Sequence, residues 1–190
     1  LDTMVTTVVS SLDEFLGYER SMVMLIDETG TRLFTLASHG YTTEGVGSEL
    51  ALGEGAAGQA AAHNRAVRLA GVHHTDKYAR SVQRSFEESQ AEIEVPTRPD
   101  TRSRLAVPAV SRGEVRGVIV VESGNPSAFD DTDETLLGIV GSIVAEMAEL
   151  DRVQDEEPPS PLTAASDRTD DVDGGGSALE ASSEASIHVR

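Results

Sequence analysis

The chain has 190 residues, a formal charge of −18 and no cysteine. So acidic a chain repels phosphate backbones and anionic lipid, and direct contact with nucleic acid or a membrane is not expected. Without cysteine there are no disulfides, thiolate metal sites, sulfur-tethered cofactors or cysteine nucleophiles, which fits a reducing, cytoplasmic setting.

Leu1, Met4, Val5, Val8, Val9, Leu12, Phe15 and Leu16 recur at helical spacing and predict a helix over 1–16 that stops at Gly17. The chain opens at Leu1 already in helical phase, with no signal-peptide pattern, and reads as a piece of a longer protein. Residues 21–27 read as a buried strand, Glu28-Thr29-Gly30 as a turn, and Thr31 to Ser38 as the partner strand. Ser48 to Leu52 is a poor strand. Glu54 to His63 predicts a short Ala-rich helix, Val67 to Leu69 a brief strand, and Lys77 to Glu92 a polar helix. Arg104 to Val110 and Glu114 to Glu122 are β-rich runs around Ser111-Arg112-Gly113, a hairpin signal. Asp130 to Glu134 is an acidic helix start, followed by a stripe of Leu136, Leu137, Val140, Ile143, Val144, Met147 and Leu150. The stretch from Leu136 to Ala148 is shorter than the roughly 20 residues of a membrane span.

Composition divides the chain near residue 153. Residues 154–186 are acidic and rich in Pro, Gly and Ser, and are expected to be a disordered linker or tail. Ile187-His188-Val189-Arg190 alternates like the opening of a strand and reads as the start of a truncated output domain. Residues 1–153 have hairpins at both ends and helices between and around them. The expected fold is α+β: a mainly antiparallel sheet with helices on its faces.

Val23 to Asp27, the later Leu52-Gly53-Glu54-Gly55-Ala56-Ala57-Gly58 segment, Ser103 to Pro108 with Arg116 to Glu122, and Phe129 with Asp133 and Leu137 resemble, in order and spacing, the GAF family. The resemblance covers residues 1–152. It implies a sheet of about six strands, terminal helices packed on one face and a ligand pocket on the other. It also implies a domain that senses a small molecule and regulates an attached output, often as a dimer. Cyclic-nucleotide-binding members carry an Asn-Lys pair where this chain has Glu122-Ser123. Members that reduce free methionine sulfoxide, or hold a linear tetrapyrrole covalently, use cysteines that this chain lacks.

Gly53-x-Gly55-x-x-Gly58, with Asp76 further on, matches a dinucleotide fingerprint in letters. That motif needs a buried strand before it and a parallel βαβ unit around it. The simpler reading is that Gly53 and Gly55 shape a turn and Gly58 lets the helix approach the sheet. His73-His74-Thr75-Asp76 offers no third metal ligand at diagnostic spacing, and adjacent histidines on a strand point to opposite faces. His39 reads as a turn residue. The carboxylate pairs Asp13-Glu14, Glu87-Glu88 and Asp133-Glu134 read as solvated helix surface or a helix start, with no nucleophile nearby. No catalytic residue, cofactor or metal is therefore assigned, and the chain is expected not to be an enzyme.

The stretch 70–103 should cover the ligand face. Candidate ligand-binding residues are His73, Asp76, Lys77 and Tyr78 in its first segment, Phe86 in its helix and Ser103 at the start of the next strand. Leu36, Leu69, Leu105 and Val107 are the expected floor, and Arg102 and Arg104 could pair with an anionic ligand. The expected function is a regulatory, small-molecule-sensing domain controlling a signalling or transcriptional output domain in the same chain or a partner. The alternative is a ligand-free dimerisation or scaffold module with a degenerate pocket. A homodimer through the terminal helices is expected in either case.

Overall fold

The computed structural model describes residues 1–42, 45–71 and 98–156, with backbone alone at 155 and 156. The predicted helix over 77–92, and the expectations placed on residues 157–190, lie outside the described residues. Residues 154–156 are not tail: they continue the last helix.

Helix α1 (Asp2–Leu16) opens the domain and buries Val5, Val9 and Leu12, one side of the predicted stripe. It ends where the amides of Gly17 and Tyr18 bond back to the carbonyls of Asp13 and Leu12. Strands β1 (Arg20–Ile26) and β2 (Arg32–His39) form an antiparallel hairpin. Its turn is held by Asp27, whose Oδ1 accepts the amides of Thr31 and Arg32 at 3.0 and 2.9 Å. A three-residue strand, β3 (Glu49–Ala51), pairs with β2, although Ser48 to Leu52 lacks strand character in the sequence. Helix α2 (Gly55–His63) and strand β4 (Val67–Ala70) follow. Strands β5 (Ser103–Ser111) and β6 (Glu114–Ser123) are joined by Arg112-Gly113, with φ of 52° and 85°. Two consecutive left-handed residues make the turn type whose twist matches that of the flanking strands.

Helix α3 (Asp131–Glu156) closes the domain. Its start is capped reciprocally. Asp130 Oδ1 accepts the amides of Thr132 and Asp133 at 2.7 and 3.3 Å, while Asp133 Oδ2 accepts the amide of Asp130 at 2.7 Å. The Thr132 amide foremost, then that of Asp133, lowers the Asp130 carboxyl pKa.

The strands form one six-stranded sheet in the order β3-β2-β1-β6-β5-β4, every pairing antiparallel. This is the expected α+β architecture. It also removes the dinucleotide reading, because Gly53 to Gly58 follows an antiparallel edge strand rather than the first strand of a parallel βαβ unit.

The strands bury both faces. Val23, Leu25, Leu105, Val107, Ile119 and Val121 face the layer of Val5, Val9, Leu12, Leu137 and Val144 from the terminal helices. Met22, Met24, Leu33, Ala106, Val118 and Val120 face α2, whose Ala56, Ala57, Ala60 and Ala61 are buried against them. The α2 layer is thin because small side chains meet there. Gly58 sets its spacing: a Cβ at that position would lie 2.5 Å from the Ala51 carbonyl oxygen.

Candidate functional site

The face opposite α1 and α3 is apolar over α2, then turns polar toward the starts of β1 and β5. Strand alternation carries this row. Arg20 pairs with Glu122, and Glu122 with Arg104, which pairs with Leu69, so four side chains from β1, β6, β5 and β4 lie across the sheet on one side. They continue the phase of Met22, Val120, Ala106 and Val67, which is the α2 face.

Charge is deeply set here. Glu122 has no exposed side-chain surface. Its Oε1 accepts the Arg104 guanidinium, through Nε at 2.7 Å and also through Nη2, and its Oε2 accepts the Thr101 hydroxyl at 2.9 Å. Arg20 is 8% exposed and donates through Nη2 to Asp100 Oδ2 at 2.7 Å, with Nη1 at 3.5 Å from the Thr101 hydroxyl. A buried charge is tolerated only when paired and hydrogen-bonded, and Arg104–Glu122 meets that condition. Asp100 is 52% exposed and also accepts Arg98 Nε at 3.1 Å. Burial alone would raise its carboxyl pKa, but the Arg98 hydrogen bond, its own amide and the charge of Arg20 hold it low.

Tyr41 completes the cluster. Its hydroxyl is buried and makes no well-formed hydrogen bond. Burial first, then the nearby Glu122 carboxylate, pushes its pKa well up, while Arg104 and Arg20 pull it down. The phenol therefore stays protonated beside the Glu122 carboxylate.

The expected floor needs correction. Leu36, Leu105 and Val107 belong to the layer under the terminal helices, not to the opposite face. Ser103 is in phase with Leu105 and Val107, and its buried hydroxyl has no hydrogen-bond partner. The reason is strand phase: a sheet buried on both faces shows no polar alternation to mark which residues point which way. Leu69 does lie on the face opposite the terminal helices, partly exposed on the edge strand. Arg104 is there too, satisfied by Glu122, whereas Arg102 is exposed. His73, Asp76, Lys77, Tyr78 and Phe86 lie outside the described residues. His39 ends β2 rather than making a turn, its Nε2 lying 3.0 Å from Asp13.

Sequence reasoning missed Arg20, Tyr41 and Glu122. A signal existed for two of them. Arg20 and Glu122 sit two residues from Met22 and Val120 at the ends of otherwise apolar strands, where alternation turns them inward.

Residues 1–147 match the GAF domain profile. The chain belongs to the GAF domain family. Among solved structures, this GAF domain is similar to that of an Acinetobacter phosphoenolpyruvate-protein phosphotransferase, at 22% identity and a TM-score of 0.62, covering 84% of this chain and 87% of the other. The GAF domain of a Coxiella burnetii phosphoenolpyruvate-protein phosphotransferase aligns at 18% identity and a TM-score of 0.63, covering 82% and 86%. A type II free methionine-R-sulfoxide reductase from Thermoplasma acidophilum aligns at 23% identity and a TM-score of 0.57, covering 76% and 89%. At these identities the likeness is one of fold, which regulatory domains and an enzyme share. No curated protein matches the sequence. Among the described residues, no helix of this GAF domain is long and apolar enough to cross a membrane.

Proposed function

We propose that this GAF domain is a regulatory, non-catalytic, cytoplasmic sensor that binds a small molecule on the sheet face opposite its terminal helices and controls an attached signalling or transcriptional output. One observation carries the reading: Arg20, Glu122 and Arg104 are set side by side into that face, with the buried Tyr41 hydroxyl beside them and no well-formed hydrogen bond to it. Structural cores avoid such groups because each costs desolvation. Ligand sites combine apolar walls with a few convergent polar groups, and here α2, Met22 and Ala106 supply the apolar part. The test is native mass spectrometry on protein purified from its own host, followed by a thermal-shift screen of metabolites. A retained small molecule, or a metabolite whose stabilisation is lost in Y41F, supports sensing. Finding neither a retained mass nor any stabilising metabolite would refute it.

Dimerisation through the terminal helices is supported by a separate observation. Leu136, Ile139, Ile143, Leu150 and Val153 fall at heptad positions along α3, and all are exposed, with Ile139 at 58% and Ile143 at 55%. Met4 and Phe15 are exposed on α1, which runs antiparallel beside α3: the Leu1 amino group lies 3.4 Å from Asp151, and the Tyr18 hydroxyl 2.5 Å from Asp133. An apolar seam of this kind is what a second copy covers in a symmetric pair. Sedimentation at micromolar concentration should show a dimer, and a clean monomer would overturn this part of the proposal.

A further inference from the structure

We propose that the sheet-face site holds its ligand by a carboxylate or phosphate group, which takes the place of the Asp100 carboxylate on the Arg20 guanidinium. The inference rests on the sensing reading and names its ligand class.

Charge comes first. The buried row contains two arginines and one glutamate. Arg104 and Glu122 neutralise each other, through hydrogen bonds that use both carboxylate oxygens together with Thr101. The cation left over is Arg20, and its charge partner is not another core residue. It is Asp100, a half-exposed side chain just before β5 that is shared with Arg98. A buried cation with a partner from the rim is one whose counter-ion can be exchanged without opening the core.

Geometry comes next. A guanidinium offers two parallel N–H groups to a planar carboxylate or to a phosphate. Arg20 uses one of them well, Nη2 on Asp100 at 2.7 Å, while Nη1 reaches Thr101 only at 3.5 Å. An arriving anion can engage both. Tyr41, whose buried hydroxyl makes no well-formed hydrogen bond, stands beside the Glu122 carboxylate and could turn its proton to a further oxygen. Gly124 lies alongside, where a Cβ would be in ordinary contact with Arg20 Nη2 at 3.9 Å. Asp100 thus acts as an internal stand-in for the ligand, and the apparent affinity is lowered by the fraction of time it occupies the site.

The experiment uses the whole chain and two probes, inorganic phosphate and acetate, titrated by thermal shift at ionic strength held constant with chloride. D100N leaves a solvent-facing position uncharged and removes the carboxylate that competes for Arg20. It should bind at least one probe saturably, with a Kd at least fivefold below that of the unaltered protein, and the two probes separate a phosphate site from a carboxylate site. D100N/R20K keeps a positive charge but loses the fork, and should forfeit that gain. The proposal is overturned if D100N and the unaltered protein titrate alike with both probes, or if D100N/R20K binds as tightly as D100N. Should R20K fail to fold, the D100N comparison alone decides. If native mass spectrometry finds a neutral or cationic molecule retained while D100N gains nothing, the ligand class is wrong and the sensing reading stands. If nothing is retained and nothing stabilises, both fail.

Discussion

Replacing Glu122 by glutamine tests the central pair of the site with almost no change in volume. The carboxylate is fully covered and holds the Arg104 guanidinium and the Thr101 hydroxyl. The carboxamide of E122Q keeps one oxygen acceptor, so a hydrogen bond survives while the charge does not. Arg104, with 14% of its side chain exposed, is then a buried cation without a counter-charge. Removing one partner of a buried pair costs about 3–5 kcal/mol, and the surviving hydrogen bond places E122Q near the lower end, about 3 kcal/mol. In a domain of this size that corresponds to a fall in Tm of roughly 6–12 °C. Urea unfolding followed by circular dichroism measures the loss, with the m-value expected to stay unchanged because the exposed surface is the same. The double mutant E122Q/R104M should recover much of it, since the orphaned charge is removed along with its partner. A loss below about 1 kcal/mol in E122Q, or effects of the two substitutions that simply add within about 0.5 kcal/mol, would refute the reasoning.

Other substitutions probe the layers on either side. G58A forces a Cβ against the Ala51 carbonyl oxygen and should destabilise the domain by about 1–3 kcal/mol, whereas G138A, in α3 with nothing within 4 Å, should stabilise it by up to about 1 kcal/mol; chemical denaturation compares them directly. I143E on the exposed stripe should leave folding stability within about 0.5 kcal/mol and shift sedimentation from dimer to monomer. Burial first, then the hydrogen bond to Asp133, raises the Tyr18 pKa above its ordinary 10.0, so its contribution is complete below pH 10 and is lost as pH rises beyond that. Y18F should therefore flatten part of the stability loss above about pH 10, with Tyr41 accounting for a further share, and an unchanged slope in alkaline denaturation would contradict this assignment.

The elements that follow a strong period were legible in the sequence. The stripes of α1 and α3, the Arg112-Gly113 hairpin and the close approach at Gly58 all follow from spacing or from small residues. Strand β3 was not, because three residues carry too little pattern and pairing with β2 decides the matter. Part of the expected floor was placed on the wrong face of the sheet for a related reason. Leu105 and Val107 are the bulky pair in β5 and look like a floor, yet bulk goes to the side where α1 and α3 leave room. The opposite face takes Ala106, because the alanines of α2 press close against it. Glu122 closes a Val-rich run, and beyond its strand phase nothing local in the sequence marks it as buried. Only its pairing with Arg20 and Arg104, from strands distant in sequence, makes burial tolerable there.

Arg20 and Ser21 are neighbours in the chain but look out from opposite sides of the wall. Arg20 meets Asp100 on the α2 side of the sheet, while the Ser21 hydroxyl donates to the Val9 carbonyl of α1 at 3.2 Å. The partition between the two compartments is therefore one residue thick at this point. The contact with Asp100 and the contact with the first helix are carried by adjacent residues, one peptide bond apart. If a ligand draws on Arg20 as proposed, the backbone between Arg20 and Ser21 is the shortest route by which the first helix could feel it.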